Sequence, residues 1–178
     1  MSTDSQSLAS YIRTVPDFPK RGIMFRDITT LLKDPGAFQQ AVKVFEAHYA
    51  GRNISKIVCI ESRGFILGAA LALRLNAGFV PIRKRGKLPA ETIRQEYSLE
   101  YGTDSIEIHR DAIAPGETVL IHDDLLATGG TVSAACRLVE SLGGRIAGIS
   151  FLIELSFLKG RAALGGYEIF SAIQYAAE

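Results

Sequence analysis

Residues 119–131 read VLIHDDLLATGGT, and no other segment constrains the fold as strongly. An apolar, β-rich run ends in two adjacent carboxylates, Asp123 and Asp124, and a short loop then passes through Thr128, Gly129, Gly130 and Thr131. Residues 131–142 follow as a helix, stopped by Gly143 and Gly144. The rest of the chain alternates in the same way. Asp34 followed by Pro35 predicts a helix start, and Phe38, Ala41, Val42, Phe45 and Tyr49 recur behind it at helical spacing. Strands are expected at 56–60, 79–82, 105–110, 118–122, 145–153 and 167–173, and helices at 65–75 and 156–164. Strands alternating with helices predict one α/β domain over residues 1–178, with a mainly parallel sheet flanked by helices. Such sheets bind ligands beyond the carboxyl ends of their strands.

Residues 84–104 break the pattern. They mix Lys, Arg, Gly, Pro and Glu with no long periodic face, and are expected to be a long exposed excursion. Excursions of this length in compact domains are commonly lids or binding loops.

Composition limits the partners. The formal net charge is +1, so nothing global calls for nucleic acid or an anionic membrane. No run reaches the ~18 apolar residues of a membrane span, and the stretch from Met1 to Ser10 is polar, with no apolar signal core. A cytoplasmic protein is expected. Cys59 and Cys136 sit in apolar runs and are expected to be buried as small hydrophobes. His48, His109 and His122 show no metal-ligand spacing.

The glycines of 127–131 let the backbone approach a ligand, and amides at a helix start favour an anion. The Thr128 and Thr131 hydroxyls add donors. No Gly-Lys-Ser/Thr follows, so this is not a nucleotide-triphosphate loop, and the dinucleotide Gly-x-Gly-x-x-Gly is absent. Asp123 and Asp124 would repel a bare polyphosphate but suit ribose hydroxyls as acceptors. A sugar carrying a phosphate at one end satisfies both halves. The alternative, an ordinary turn with an Asx cap, explains a lone Gly-Gly better than the whole arrangement.

The segment closely resembles the signature of the phosphoribosyltransferases. That resemblance implies a Rossmann-like phosphoribosyltransferase fold. It gives Asp123 and Asp124 to the ribose hydroxyls of phosphoribosyl pyrophosphate, and Ala127, Thr128, Gly129, Gly130 and Thr131 to its 5′-phosphate. His122 departs from the usual aliphatic residue and fits a packed strand position. Arg83, Lys84, Arg85 and Lys87 form a basic run that alone would suggest a solvated face or a nucleic-acid patch. Beside a phosphosugar loop, they suit pyrophosphate. By resemblance the pyrophosphate site takes Glu61, Ser62, Arg63, Arg83 and Lys87, in a loop that often contains a cis peptide. Magnesium is implied as cofactor, held through ligand oxygens and water, with no direct protein ligand.

The phosphosugar motif leaves the acceptor base open. Residues 17–29 read DFPKRGIMFRDIT and have no clean period, so physics alone allows an N-terminal arm packed on the core. They resemble the base-covering hood of the adenine phosphoribosyltransferases, which implies a hood over about 12–33 and a flexible lid over about 84–104. Met24 and Arg26 would then read adenine through backbone groups, with Phe25 and Leu125 on its faces. The match extends over residues 12–175 and includes IRKRGKLP at 82–89 and YSLEYG at 97–102. Thr30 stands where the family commonly has proline, and Glu61 where some members have aspartate. Glu100 matches the candidate catalytic acid on the purine imidazole nitrogen, and Tyr101 would cover the site as part of the lid. The implied activity is purine salvage: adenine and phosphoribosyl pyrophosphate give AMP and pyrophosphate. A homodimer is implied as well. Two rivals stay open here. One is a transferase for another base, against which the hood and Leu125 argue. The other is a non-catalytic regulator that senses the donor; such regulators generally append a DNA-binding domain, for which the short stretch before Val15 is expected to leave no room.

Overall fold

The computed structural model describes residues 8–99 and 102–177. Nine strands and four α-helices are assigned among them. A small antiparallel hairpin comes first, β1 (Arg13–Val15) with β2 (Phe25–Asp27), followed by α1 (Thr29–Leu32) and α2 (Pro35–Tyr49). Then come β3 (Lys56–Ile60), α3 (Gly64–Arg74), β4 (Gly78–Lys84), β5 (Thr92–Leu99), β6 (Gly102–His109), β7 (Thr118–Leu126), α4 (Gly130–Ser141), β8 (Arg145–Leu155) and β9 (Ile169–Tyr175). The main sheet has the order β5-β6-β4-β3-β7-β8-β9. β3, β4, β7, β8 and β9 are mutually parallel, and β5 and β6 form an antiparallel edge. The expected α/β architecture is therefore observed.

α2 starts where the sequence placed it, because the Asp34 side chain accepts from the Ala37 amide at 2.8 Å and proline occupies the first turn. Its buried side chains are Ala37, Ala41, Val42, Phe45 and Tyr49. Strand alternation divides the core between the two sheet faces. Ile57, Cys59 and Leu120 meet α2 and α3 on one face, while Val58, Ile60, Val119 and Ile121 meet α4 on the other. Each such side chain contributes about 1.5–3 kcal/mol on leaving water. Cys59 and Cys136 are buried and unpaired, as expected.

Three expectations need correction. Residues 92–99 are a strand of the edge hairpin rather than irregular excursion, paired residue for residue with 102–109. β7 runs on through the acidic pair to Leu126, because Leu125 and Leu126 find partners in Ile153 and Glu154 of β8. The segment 156–164 holds two 3-10 turns, Ser156–Leu158 and Gly160–Leu164, separated by Lys159 at φ 55°, which breaks any continuous helix.

Candidate active site

The direction of chain winding reverses between β3 and β7: from β3 the sheet grows through β4 on one side and through β7, β8 and β9 on the other. The loops leaving β3 and β7 diverge there and open a crevice at the carboxyl ends. From β3 come Glu61, Ser62 and Arg63, with a cis peptide between Glu61 and Ser62. From β7 come Asp123, Asp124 and the loop into α4. Asp123, Leu125, Ala127, Thr128, Gly129, Gly130 and Thr131 line one small pocket of about 90 Å³. The residues read as ribose- and phosphate-facing thus share a cavity, apart from Asp124.

The loop is shaped as an anion cradle. Gly129 sits at φ 85°, a left-handed conformation costly for any residue with a Cβ, and it caps α4 with no side chain in the way. The first amides of α4 are thereby left to an external acceptor, at the positive end of the helix dipole.

Asp124 is buried. The Arg63 Nε lies 2.8 Å from its Oδ2, an ion-pair contact without hydrogen-bond alignment. Asp123 Oδ1 accepts from the Asp124 amide at 2.8 Å. Burial and the neighbouring Asp124 charge push the Asp123 carboxyl well above the usual range. Burial also raises Asp124, against the pull of Arg63. The two carboxylates are short of donors, which suits groups that wait for hydroxyls.

The basic run is not free in solution. Glu61 gathers it: Arg83 Nε donates at 3.0 Å, the Lys84 amide at 3.1 Å and Lys87 Nζ at 2.6 Å. Burial pushes the Glu61 carboxyl up, but Lys87, the Lys84 amide and Arg83 together hold it below the usual range. Glu61, Arg83 and Lys87 are therefore one ion cluster at the edge of the crevice.

The hood residues are tied to this site. The Arg63 guanidinium lies 5.1 Å from the Phe25 ring centroid, so one arginine bridges hood and acidic pair. Phe18 packs edge-on against Phe25 at 5.0 Å. The Arg26 side chain is already committed, donating to Thr14 Oγ1 and stacking 4.0 Å over Tyr175. Its buried Nε has no hydrogen-bond partner among the described residues. Met24 is 37% exposed, and Leu125 is half-buried against the core. Glu100 and Tyr101 lie outside the described residues.

Sequence reasoning missed Tyr97. It lies on β5, donates to Asp104 Oδ2 at 3.3 Å and contacts the side chain of Thr131. Burial raises its phenol above the usual range, against the Thr131 bond. The alternation of Ile93, Gln95 and Tyr97 was the available signal. His122 is fully buried, as a packed strand residue should be. Its Nδ1 pairs with Ser150 Oγ at 2.9 Å and its ring meets Phe45 edge-on. Burial lowers its pKa to about 4.

With this geometry in place, comparison with known proteins is direct. The model of the phosphoribosyl transferase domain matches residues 29–161. The adenine phosphoribosyltransferase of Acidobacterium capsulatum is 56% identical over 174 residues, covering 98% of this chain and 96% of the relative. The chain belongs to the adenine phosphoribosyltransferase family. Among solved structures of the family, that from Thermoanaerobacter pseudethanolicus superposes with a TM-score of 0.94 at 54% identity, covering 96% of this chain and 99% of that one. The Saccharomyces cerevisiae member, complexed with adenine and an imino-altritol bisphosphate, superposes with a TM-score of 0.92 at 41% identity, covering 97% and 99%.

Proposed function

We infer that this chain converts adenine and phosphoribosyl pyrophosphate to AMP and pyrophosphate, as a purine-salvage glycosyltransferase. The observation that carries the inference is the donor-poor acidic pair Asp123–Asp124 set against the open amide cradle of α4. A phosphorylated ribose complements both. The hood and the yeast relative's complex with adenine support the choice of base.

In this reading, Asp123 and Asp124 accept from the ribose hydroxyls. Residues 127–131 hold the 5′-phosphate through amides and the Thr128 and Thr131 hydroxyls. Arg63, Arg83 and Lys87 stabilise the departing pyrophosphate, with Glu61 and Ser62 shaping its loop. The anomeric C–O bond breaks and its electron pair leaves on pyrophosphate; the new C–N bond forms to the adenine imidazole ring, whose N–H proton is released to the basic pyrophosphate or to solvent. Met24 and Arg26 read the base edge through backbone groups, while Phe25 and Leu125 cover its faces. Glu100 protonates or hydrogen-bonds the purine imidazole nitrogen, and Tyr101 covers the site as part of the 84–104 lid. Positioning and water exclusion carry most of the acceleration.

Among the described residues no group of three or more His, Cys, Asp or Glu gathers as a metal cage. Asp123 and Asp124 fit as acceptors for the waters of a hydrated cation. Held near them through its waters, magnesium would supply positive charge to offset that of the phosphates. We further propose a cytoplasmic homodimer. Two buried, unpaired cysteines suit a reducing compartment. Exposed Ile66, Leu73 and Phe79 offer apolar surface to a second copy. Light scattering that shows a monomer at micromolar concentration would refute the dimer.

The activity test is an assay of adenine, guanine, hypoxanthine and orotate, each with phosphoribosyl pyrophosphate and Mg²⁺. AMP formation with strong preference for adenine is expected. Preferential turnover of another base, or none with any, would overturn the reading.

A further inference from the structure

The loop that opens α4 is held from behind. The 3-10 turn Gly160–Leu164 lies against it, backbone to backbone. A Cβ on Gly160 would fall 2.2 Å from the Ala127 carbonyl oxygen, and a Cβ on Gly129 would fall 2.6 Å from the Gly160 carbonyl oxygen. Residue 160 therefore fits between Ala127 and Gly129 only because neither glycine carries a side chain. Both contacts fall within the segment read as the phosphate cradle.

The next residue anchors that wedge. Arg161 Nε and Nη2 each donate to a different oxygen of the Glu154 carboxylate, both at 2.7 Å. Nη1 also donates to the Ile169 carbonyl at 3.3 Å. Glu154 is only 4% exposed and lies on β8 in register with Leu126, the last residue of β7 before the loop. Burial pushes its carboxyl up, and hydrogen bonds led by Arg161 hold it below the usual range, so the pair stays ionised at neutral pH. A bidentate arginine–carboxylate fork fixes direction as well as distance. Neither residue lines the pocket formed by residues 123–132.

We propose that Glu154 and Arg161 are positioning residues for the donor's 5′-phosphate: the fork from exposed Arg161 to buried Glu154 fixes Gly160 against Ala127 and Gly129 and so keeps the cradle's amides aimed before the donor arrives. The proposal rests on the reading of residues 127–131 as the 5′-phosphate site. A cradle made of backbone amides has no long side chain to re-aim, so its affinity depends on a fixed loop. Displacement by about 1 Å costs on the order of 100-fold where geometry decides.

The test uses the full chain with Arg161→Ala, Arg161→Lys and Glu154→Gln. Calorimetric titrations with ribose 5-phosphate and, separately, pyrophosphate accompany steady-state kinetics with each substrate varied. Arg161→Ala is expected to weaken ribose 5-phosphate and raise KM for phosphoribosyl pyrophosphate by about 10- to 100-fold. Pyrophosphate affinity and KM for adenine should stay within about two-fold, and kcat should fall far less than KM rises. Arg161→Lys, which keeps one charged donor, should fall between. Should Arg161→Ala not fold, the nearly isosteric Glu154→Gln carries the same test. A lower Tm with wild-type ribose 5-phosphate affinity in these variants would reduce the fork to a structural role and overturn the proposal. Thr131→Val, inside the cradle, separates the two ideas. If it loses ribose 5-phosphate affinity while the fork variants do not, the brace alone is wrong; if it too binds normally, the cradle assignment falls with it.

Discussion

Asp123→Asn should make the protein more stable and weaken its hold on the donor. In the free chain the Asp123 carboxyl is pushed well above its ordinary range, first by burial and then by the Asp124 charge. Between the ordinary and the raised pKa, the folded chain holds a proton that the unfolded chain releases. The sign follows: stability associated with Asp123 is fully present below the ordinary carboxylate pKa and is lost as pH rises through the raised value. An asparagine keeps the oxygen that accepts from the Asp124 amide and removes the charge. At pH 7 the variant should gain on the order of 1 kcal/mol, as relief of functional-site strain commonly does. The gain should shrink as the pH is lowered toward 4.

Donor binding should move the other way. A charge-assisted hydrogen bond contributes about 1.5–3 kcal/mol, and at about 1.4 kcal/mol per tenfold its loss weakens phosphoribosyl pyrophosphate by about 10- to 150-fold. Thermal melts across pH 4–8, with calorimetric titration of the donor and Mg²⁺, measure both quantities. Donor affinity within two-fold of wild type would refute the ribose assignment. A variant less stable at pH 7 than at pH 5, relative to wild type, would refute the electrostatic argument.

Other outcomes are equally specific. Glu100→Leu should lower kcat by about 10²–10⁴-fold with little change in adenine binding, and Glu100→Gln should lose less; steady-state rates within two-fold of wild type for both would remove Glu100 from the mechanism. Hydrogen exchange across 84–104 should slow when adenine and a non-reacting donor analogue are both bound; equal protection in the free protein would reject the lid. The buried His122 imidazole, with its pKa lowered to about 4, should show flat NMR shifts from pH 8 down to pH 5.5; a midpoint near 6.5 would contradict its burial against Phe45 and Ser150.

The sequence revealed elements whose signals are local. Asp34 and Pro35 marked the start of α2 because capping involves residues only three apart. The run from Val119 to Thr131 declared a strand, an acidic pair and a glycine turn into a helix for the same reason. The misses depend on distant partners. Residues 92–99 looked irregular because an edge strand buries little, and its pairing with 102–109 stands out only once Ile93 and Tyr97 are seen against the core beside α4. β7 continued past His122 because β8 supplied partners for Leu125 and Leu126. The segment 156–164 reads as helical by composition, but Gly160 is there to meet Ala127, and that contact appears in no window of the sequence.

The same division runs through the site. Groups that meet a substrate are dictated by its chemistry, and in the proposed reading phosphate, ribose and pyrophosphate each leave a compositional trace in Thr128–Thr131, Asp123–Asp124 and Arg83–Lys87. Groups that aim those residues answer only to packing. Arg26 shows how the two become confused. Its sequence position suggests a guanidinium offered to a base, yet the side chain turns to Thr14 and Tyr175, which fits the proposed recognition through its backbone. Glu61 is the reverse case: a carboxylate beside an anion site looks misplaced until Arg83, Lys84 and Lys87 are seen converging on it. Glu61 lowers the mutual repulsion of the cations it gathers, whichever anion the cluster is proposed to receive.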